Sequence, residues 1–121
     1  MNYLLVCIGG AAGSLARFSA GREITKRSKS AFPFGTFIIN IAGAFLLGIV
    51  SSIHAGTNVY FLLGDGFLGA FTTFSTFMYE GFHLFEDNDL LNAFTYIGVS
   101  FILGISGYIL GINIAGLLFL R

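Results

Sequence analysis

Two stretches without formal charge decide what this chain can fold into. No Asp, Glu, Lys or Arg occurs between Lys29 and Asp65, and none between Asp89 and Arg121. Each gap exceeds the ~20 apolar residues that cross a bilayer core. Of the 121 residues, 55% are hydrophobic and 10% charged, against about 25% charged in a soluble domain. The chain therefore reads as an all-α, multi-pass protein integral to the lipid bilayer. Its net charge of zero gives no argument for a nucleic-acid partner. The single cysteine, Cys7, has no mate for an internal disulfide and reads as a small hydrophobe.

One transmembrane domain with four spans is expected, over about 2–20, 32–53, 59–83 and 90–120. The segment 2–20 lacks a basic leader and carries its small-residue run, Gly9 to Gly13, in mid-segment, so it reads as a retained helix rather than a signal peptide. Pro33 marks the start of span two. Loop one is basic, with Arg22, Lys26, Arg27 and Lys29 beside Glu23; loop three is acidic, with Glu86, Asp87 and Asp89. A fourth span of ~31 residues is ~46 Å of helix, too long for a ~30 Å core without tilt, a kink or an end outside the membrane. Gly104, Gly107 and Gly111 are the candidate kink points. Small residues four apart recur (Gly9 and Gly13, Ala44 and Gly48, Gly107 and Gly111, Gly111 and Ala115), a spacing that lets membrane helices approach closely. Four short helices can hardly enclose a conduit and pack a core together, which favours a dimer.

The third span is built to be interrupted in mid-membrane. Glycines 64, 66 and 69 and the β-branched Thr72 and Thr73 all lower helix propensity. Backbone released at membrane depth survives only where it lines a cavity or holds an ion. Just beyond, Phe74 and Phe77 share a helix face at i and i+3, while Phe45 and Phe101 lie away from the interruption. A ring edge carries the positive part of the aromatic quadrupole, so edge-on rings attract a small anion without a full countercharge.

Polar side chains inside the spans are functional candidates by default. Asn40 stands in the middle of span two, with Thr36 one turn earlier. Its amide offers two donors to an anion; interhelical hydrogen bonding is the other reading. Tyr96 and Ser100 make a similar pair on span four, Thr72, Ser75 and Tyr79 a hydroxyl stripe on span three, with Thr76 and Glu80 one face over. Glu80 and Asp65 are the only acidic residues in the spans, both off the centre of span three, which weakens the case for a proton- or sodium-coupled carrier. Arg17 lies near the end of span one, where it can snorkel to the interface. Neutral donors hold an anion weakly enough to release it, as conduction requires.

Signatures of soluble enzymes are absent: no phosphate-binding glycine loop, no paired cysteines, no Gly-x-Ser-x-Gly elbow. His83 with Glu86, Asp87 and Asp89 reads as a solvated loop that caps span four rather than a metal cluster. Two other classes were weighed. A small multidrug exporter needs a buried carboxylate in span one, and none stands between Met1 and Gly21. A scaffold protein accounts for the glycine pairs but not for the interruption.

Three blocks carry a family resemblance: Gly9-Gly10-x-x-Gly13-x-x-x-Arg17-Phe18, Gly35-Thr36-x-x-x-Asn40-x-x-Gly43-x-Phe45-x-x-Gly48, and Gly66-Phe67-x-Gly69-x-x-Thr72-Thr73-Phe74-Ser75-Thr76-Phe77. The chain resembles, over its whole length, the CrcB/Fluc family of small four-helix fluoride channels. That resemblance implies an antiparallel dimer of dual-topology type in the cell membrane, with two fluoride pores and passive export of fluoride that entered as HF. It also implies a structural sodium ion (Na+) at the dimer interface, on the backbone carbonyls of Gly69 and Thr72. Asn40, Phe74 and Phe77 would line the pore, Ser75, Thr76, Tyr96 and Ser100 the polar track, and Arg17 and Glu80 the vestibules. Gly104 departs from the pattern, standing where relatives commonly carry a second serine. The mate of an antiparallel dimer is either the same chain or an oppositely biased paralogue. Counting Lys and Arg by side gives Arg17, Arg22, Lys26, Arg27 and Lys29 against Arg121 alone, a bias toward one orientation that pulls toward a paralogue.

Overall fold

The computed structural model describes residues 2–119. Leu120, the end of the expected fourth span, and Arg121, the lone basic residue of its side, lie outside the described residues. All described regular structure is helical, and three helices are long and apolar enough to cross a membrane: Tyr3–Arg27 (α1), Phe34–Ser52 (α2) and Leu90–Phe119 (α6). Between α2 and α6 the chain forms α3 (Thr57–Tyr60), a π-helical segment (Phe61–Leu68), α4 (Gly69–Phe71) and α5 (Phe74–Glu86).

The helix ends show where the sequence bounds differ from the structure. α1 continues to Arg27, so Arg22, Glu23 and Lys26 stand on helix rather than in a loop, and Glu23 pairs with Arg27 at 3.1 Å. α2 begins directly after Pro33, whose fixed φ suits a helix entry. Ahead of α6, Asp89 accepts from the Asn92 N–H and, at 2.8 Å, from its amide, the arrangement of an N-cap. At the other end Asn2 donates to Asn58 at 2.8 Å, which ties the start of α1 to the start of α3.

Two seams of backbone-to-backbone contact organise the bundle. A Cβ on Gly9 would land on the Leu62 carbonyl oxygen and one on Gly13 on the Phe67 carbonyl oxygen, so α1 lies directly against the π segment. A Cβ on Gly48 would meet the Tyr108 carbonyl and one on Gly111 the Phe45 carbonyl, so α2 and α6 approach as closely. In lipid such packing replaces the hydrophobic effect as the force between helices. It also explains why the glycines at 64, 66 and 69 do not end the third helix. Gly66 is held between Val6, Gly9 and Phe61, and Gly69 N–H bonds Gly64 O in the wide i→i−5 turn of a π-helix. The backbone leaves the helix later, at Thr72 (ψ 157°) and Thr73 (φ −145°, ψ 123°).

The aromatic core sits between α5 and α6. Phe77, Leu84, Ala93 and Tyr96 are buried together, with Phe32, Phe37, Phe85 and Ile97 against them. Most other large apolar side chains, among them Leu4, Phe18, Leu91, Phe94 and Leu118, face outward, as lipid-facing residues do.

Candidate functional site

The site is assembled around the extended pair Thr72–Thr73. Asn40, on α2, accepts the Thr73 N–H at 2.8 Å and donates its own amide to the Thr73 carbonyl at 2.9 Å. One side chain thus satisfies both main-chain polar groups of a residue that has left the helix. At membrane depth each would otherwise cost several kcal/mol. The expectation that Asn40 offers both donors to an anion needs correction: one N–H is engaged by Thr73, and the other remains. Thr73 in turn starts α5. Its hydroxyl accepts from the Thr76 N–H at 3.3 Å and donates to the Thr76 hydroxyl at 3.1 Å, with Ser75 Oγ 3.5 Å away. Thr72 turns its hydroxyl back to the Leu68 carbonyl, the local bond that mid-helix threonines favour. Its methyl occupies the space a side chain at Gly43 would fill.

Thr36, one turn before Asn40, reaches the next turn of α5. It donates to Glu80 at 3.0 Å, and Tyr96 on α6 donates to the other Glu80 oxygen at 3.0 Å. The Glu80 carboxylate is thereby placed inside the bundle, between α2 and α6. Ser100, one turn beyond Tyr96, has a buried hydroxyl without a partner among the described residues. Tyr79 does not join the stripe expected with Thr72 and Ser75; it stacks on His83 with centroids 5.2 Å apart. His83 pairs with Glu86 at 3.0 Å on the surface.

Three cavities adjoin the Asn40–Thr73 junction. One of about 150 Å³ is walled by Asn40, Phe74, Phe77, Ser100, Phe101 and Gly104. A second, about 580 Å³, shares Asn40, Phe74 and Phe77 and adds Gly69, Thr72, Thr73, Asp65 and Tyr60. A third, about 220 Å³, holds Arg17 with Thr36, Thr73 and Thr76. Phe77 is buried, its ring tilted against Tyr96 at 5.1 Å and edge-on to Phe101 at 6.0 Å. Phe74 is 71% exposed, 6.2 Å from Phe77.

Two placements differ from the sequence reading. Phe101 was set apart from the interruption, yet it forms the cavity wall with Phe77; only its adjacency to Ser100 signalled this. Arg17, expected to snorkel to the interface, turns to the main chain of the third segment instead. It donates to the Thr72 carbonyl at 3.4 Å, level with the interruption. The Gly69 and Thr72 carbonyls suit a hard cation in one respect. The N–H that would continue the ladder to Gly69, that of Thr73, is bonded to Asn40 instead, and Thr72 lies outside any helix. Arg17 competes at Thr72 with its own charge. A Cβ at Gly69 meets nothing closer than the Gly64 carbonyl at 3.7 Å, so an alanine there fits this chain as it stands.

The comparisons agree on one group of proteins. A family model described as CrcB-like protein, camphor resistance (CrcB), matches residues 4–112. A fluoride-specific ion channel FluC 2 of Clostridium acetobutylicum is 60% identical over 111 residues, covering 92% of this chain and 95% of the relative. The FluC 2 of Bacillus cereus is 44% identical over 117 residues, covering 97% and 99%. A fluoride-specific ion channel FluC of Hydrogenobaculum is 44% identical over 123 residues, covering 98% and 100%.

Proposed function

The chain belongs to the CrcB family, and from that membership we propose that it is a fluoride-specific ion channel of the cell membrane. It passes fluoride passively down its electrochemical gradient, and so relieves the cell of fluoride trapped after entering as HF. It is not an enzyme. The observation that carries the reading is the junction at Thr73. Asn40 holds the released peptide by both its polar groups, and the same residue lines a cavity with Phe74, Phe77 and the unpartnered Ser100 hydroxyl. That wall combines aromatic rings with neutral donors and no carboxylate, a lining that attracts a small anion and lets it go. Ser75, Thr76 and Tyr96 extend the polar track; Arg17 and Glu80, expected at its vestibules, stand beside it inside the bundle, on Thr72 and between Thr36 and Tyr96.

The assembly follows from what one chain leaves open. Phe74 and Ser75, beside the Thr72–Thr73 junction, are exposed on the single chain; in a four-span chain paired with an antiparallel second subunit, that subunit supplies the missing wall. A sodium ion at that interface rests on the Gly69 and Thr72 carbonyls, which requires Arg17 to turn from Thr72 toward Thr36 and Thr76, its neighbours in the 220 Å³ cavity. Such a cation neutralises carbonyl dipoles and fixes the two junctions to each other.

Efflux from liposomes tests this. Vesicles bearing the protein, alone or with a paralogous subunit, should lose fluoride rapidly and chloride barely, with no applied proton gradient. Fluoride efflux that appears only when a proton gradient is imposed would overturn the channel reading.

A further inference from the structure

A second intramembrane carboxylate, that of Asp65, stands outside the fluoride track. It belongs to the π segment, one turn before Gly69, and about seven residues, or ~10 Å of helix, from the junction. That depth is within the ~15 Å half-thickness of a bilayer core. A carboxylate there is costly unless it meets a cation or a proton. Among the described residues the carboxylates that meet a basic side chain are Glu23, on Arg27, and Glu86, on His83, and no hydrogen-bond donor reaches the Asp65 side chain either. The nearby arginine, Arg17, is turned to Thr72 and lines a different cavity.

Asp65 instead shares the 580 Å³ cavity with Gly69 and Thr72. Two residues whose carbonyls are released from the helical ladder thus line the same cavity as Asp65, which is exposed on the single chain. Oxygen donors of this kind suit a hard cation, and the number of charged ligands sets how tightly it is held.

We propose that Asp65 is an anionic member of the cation site in this chain, binding the sodium ion directly or through one water and raising its affinity. This rests on the sodium reading above. It gives the unpaired carboxylate a partner. It also makes the site asymmetric in charge if the mate lacks an acid at the same position, so that cation affinity would differ between self-paired and mixed dimers.

The test reads binding rather than flux. Purified protein is transferred to N-methyl-glucamine buffer, and thermal stability and dimer cross-linking are followed as sodium chloride is added. The wild-type chain should gain stability with a definable half-saturating sodium concentration. Asp65→Asn, close in shape, should raise that concentration at least tenfold, and Asp65→Glu should restore it to within about threefold. Asp87→Asn, in the loop before α6, controls for loss of any negative charge and should match wild type. Should Asp65→Asn fold poorly, Asp65→Thr gives the same reading with a smaller neutral side chain. Sodium dependence that is present but equal in wild type, Asp65→Asn and Asp65→Thr overturns the role of Asp65 and leaves the sodium site standing. No sodium dependence in the wild-type chain overturns both.

Discussion

At the scale of single residues, the two phenylalanines beside the junction separate conduction from packing. Phe74 is 71% exposed and Phe77 is 6% exposed. Phe74→Ile should therefore change the stability of the unpaired chain by no more than about 0.5 kcal/mol while cutting fluoride flux severely. Phe77→Ile should cut flux and also cost about 1–2 kcal/mol, because it re-shapes a packed site against Tyr96 and Phe101. Phe45→Ile is the control of choice and should leave flux near wild type; Phe101 is not one, since it lines the same cavity. Equal flux in all three variants would reduce the aromatic pair to packing. Asn40→Asp keeps an acceptor for the Thr73 N–H but sets a carboxylate oxygen against the Thr73 carbonyl, so it should abolish flux and lower the folded yield together. The residues of this site were legible because polar and aromatic side chains are rare enough inside a span to be conspicuous. Their hydrogen-bond partners were not. That Asn40 faces Thr73 and Arg17 faces Thr72 depends on how α1 and α2 are rotated against the third segment, which spacing along one helix does not encode.

At the scale of elements, glycine has two separate uses, and the sequence does not distinguish them. Gly9, Gly13, Gly48 and Gly111 are positions where another backbone occupies the place of a Cβ. Gly69 is free of such contact within the chain. Gly13→Leu should therefore prevent α1 from seating and abolish folded protein, measured as monodisperse yield in detergent. Gly69→Ala should leave the single-chain fold intact, with any defect confined to dimer formation. Loss of folded protein in Gly69→Ala would show that the chain's own packing there is tighter than described. The low-propensity run from Gly64 to Thr73 marks an interruption without fixing its position within the run. The structure keeps the glycines at 64, 66 and 69 helical and places the departure at Thr72–Thr73. Low propensity marks where a helix is weak; a partner such as Asn40, ready to take the released peptide, decides where it ends.

At the scale of the molecule, the placement of Arg17 alters the argument about orientation. Level with the junction, it counts for neither side of the membrane. The bias becomes Arg22, Lys26, Arg27 and Lys29 against Arg121, still strongly one-sided. The Asn2–Asn58 bond keeps the start of α1 and the turn before α3 at one end, opposite these basic residues. A reporter cysteine at Ser28, in a chain carrying Cys7→Ser because Cys7 is exposed, should resolve the pairing. Labelling from both faces of the membrane indicates inverted copies of this chain. Labelling from one face, with fluoride flux only when a paralogue is co-expressed, indicates an obligate mixed pair.

The two bonds between Asn40 and Thr73 have a consequence for motion. A peptide that belongs to no helix is ordinarily the first to trade its hydrogen with solvent. Here that amide donates to Asn40, rooted in α2, and the same side chain also holds the carbonyl of Thr73. In deuterated buffer the Thr73 amide should exchange as slowly as the middle of α2 and far more slowly than Ala55 or Asn88, and Asn40→Ala should release it. The point where the chain looks most likely to bend would then be one of its stiffest, a fixed joint around which ions move and the protein does not.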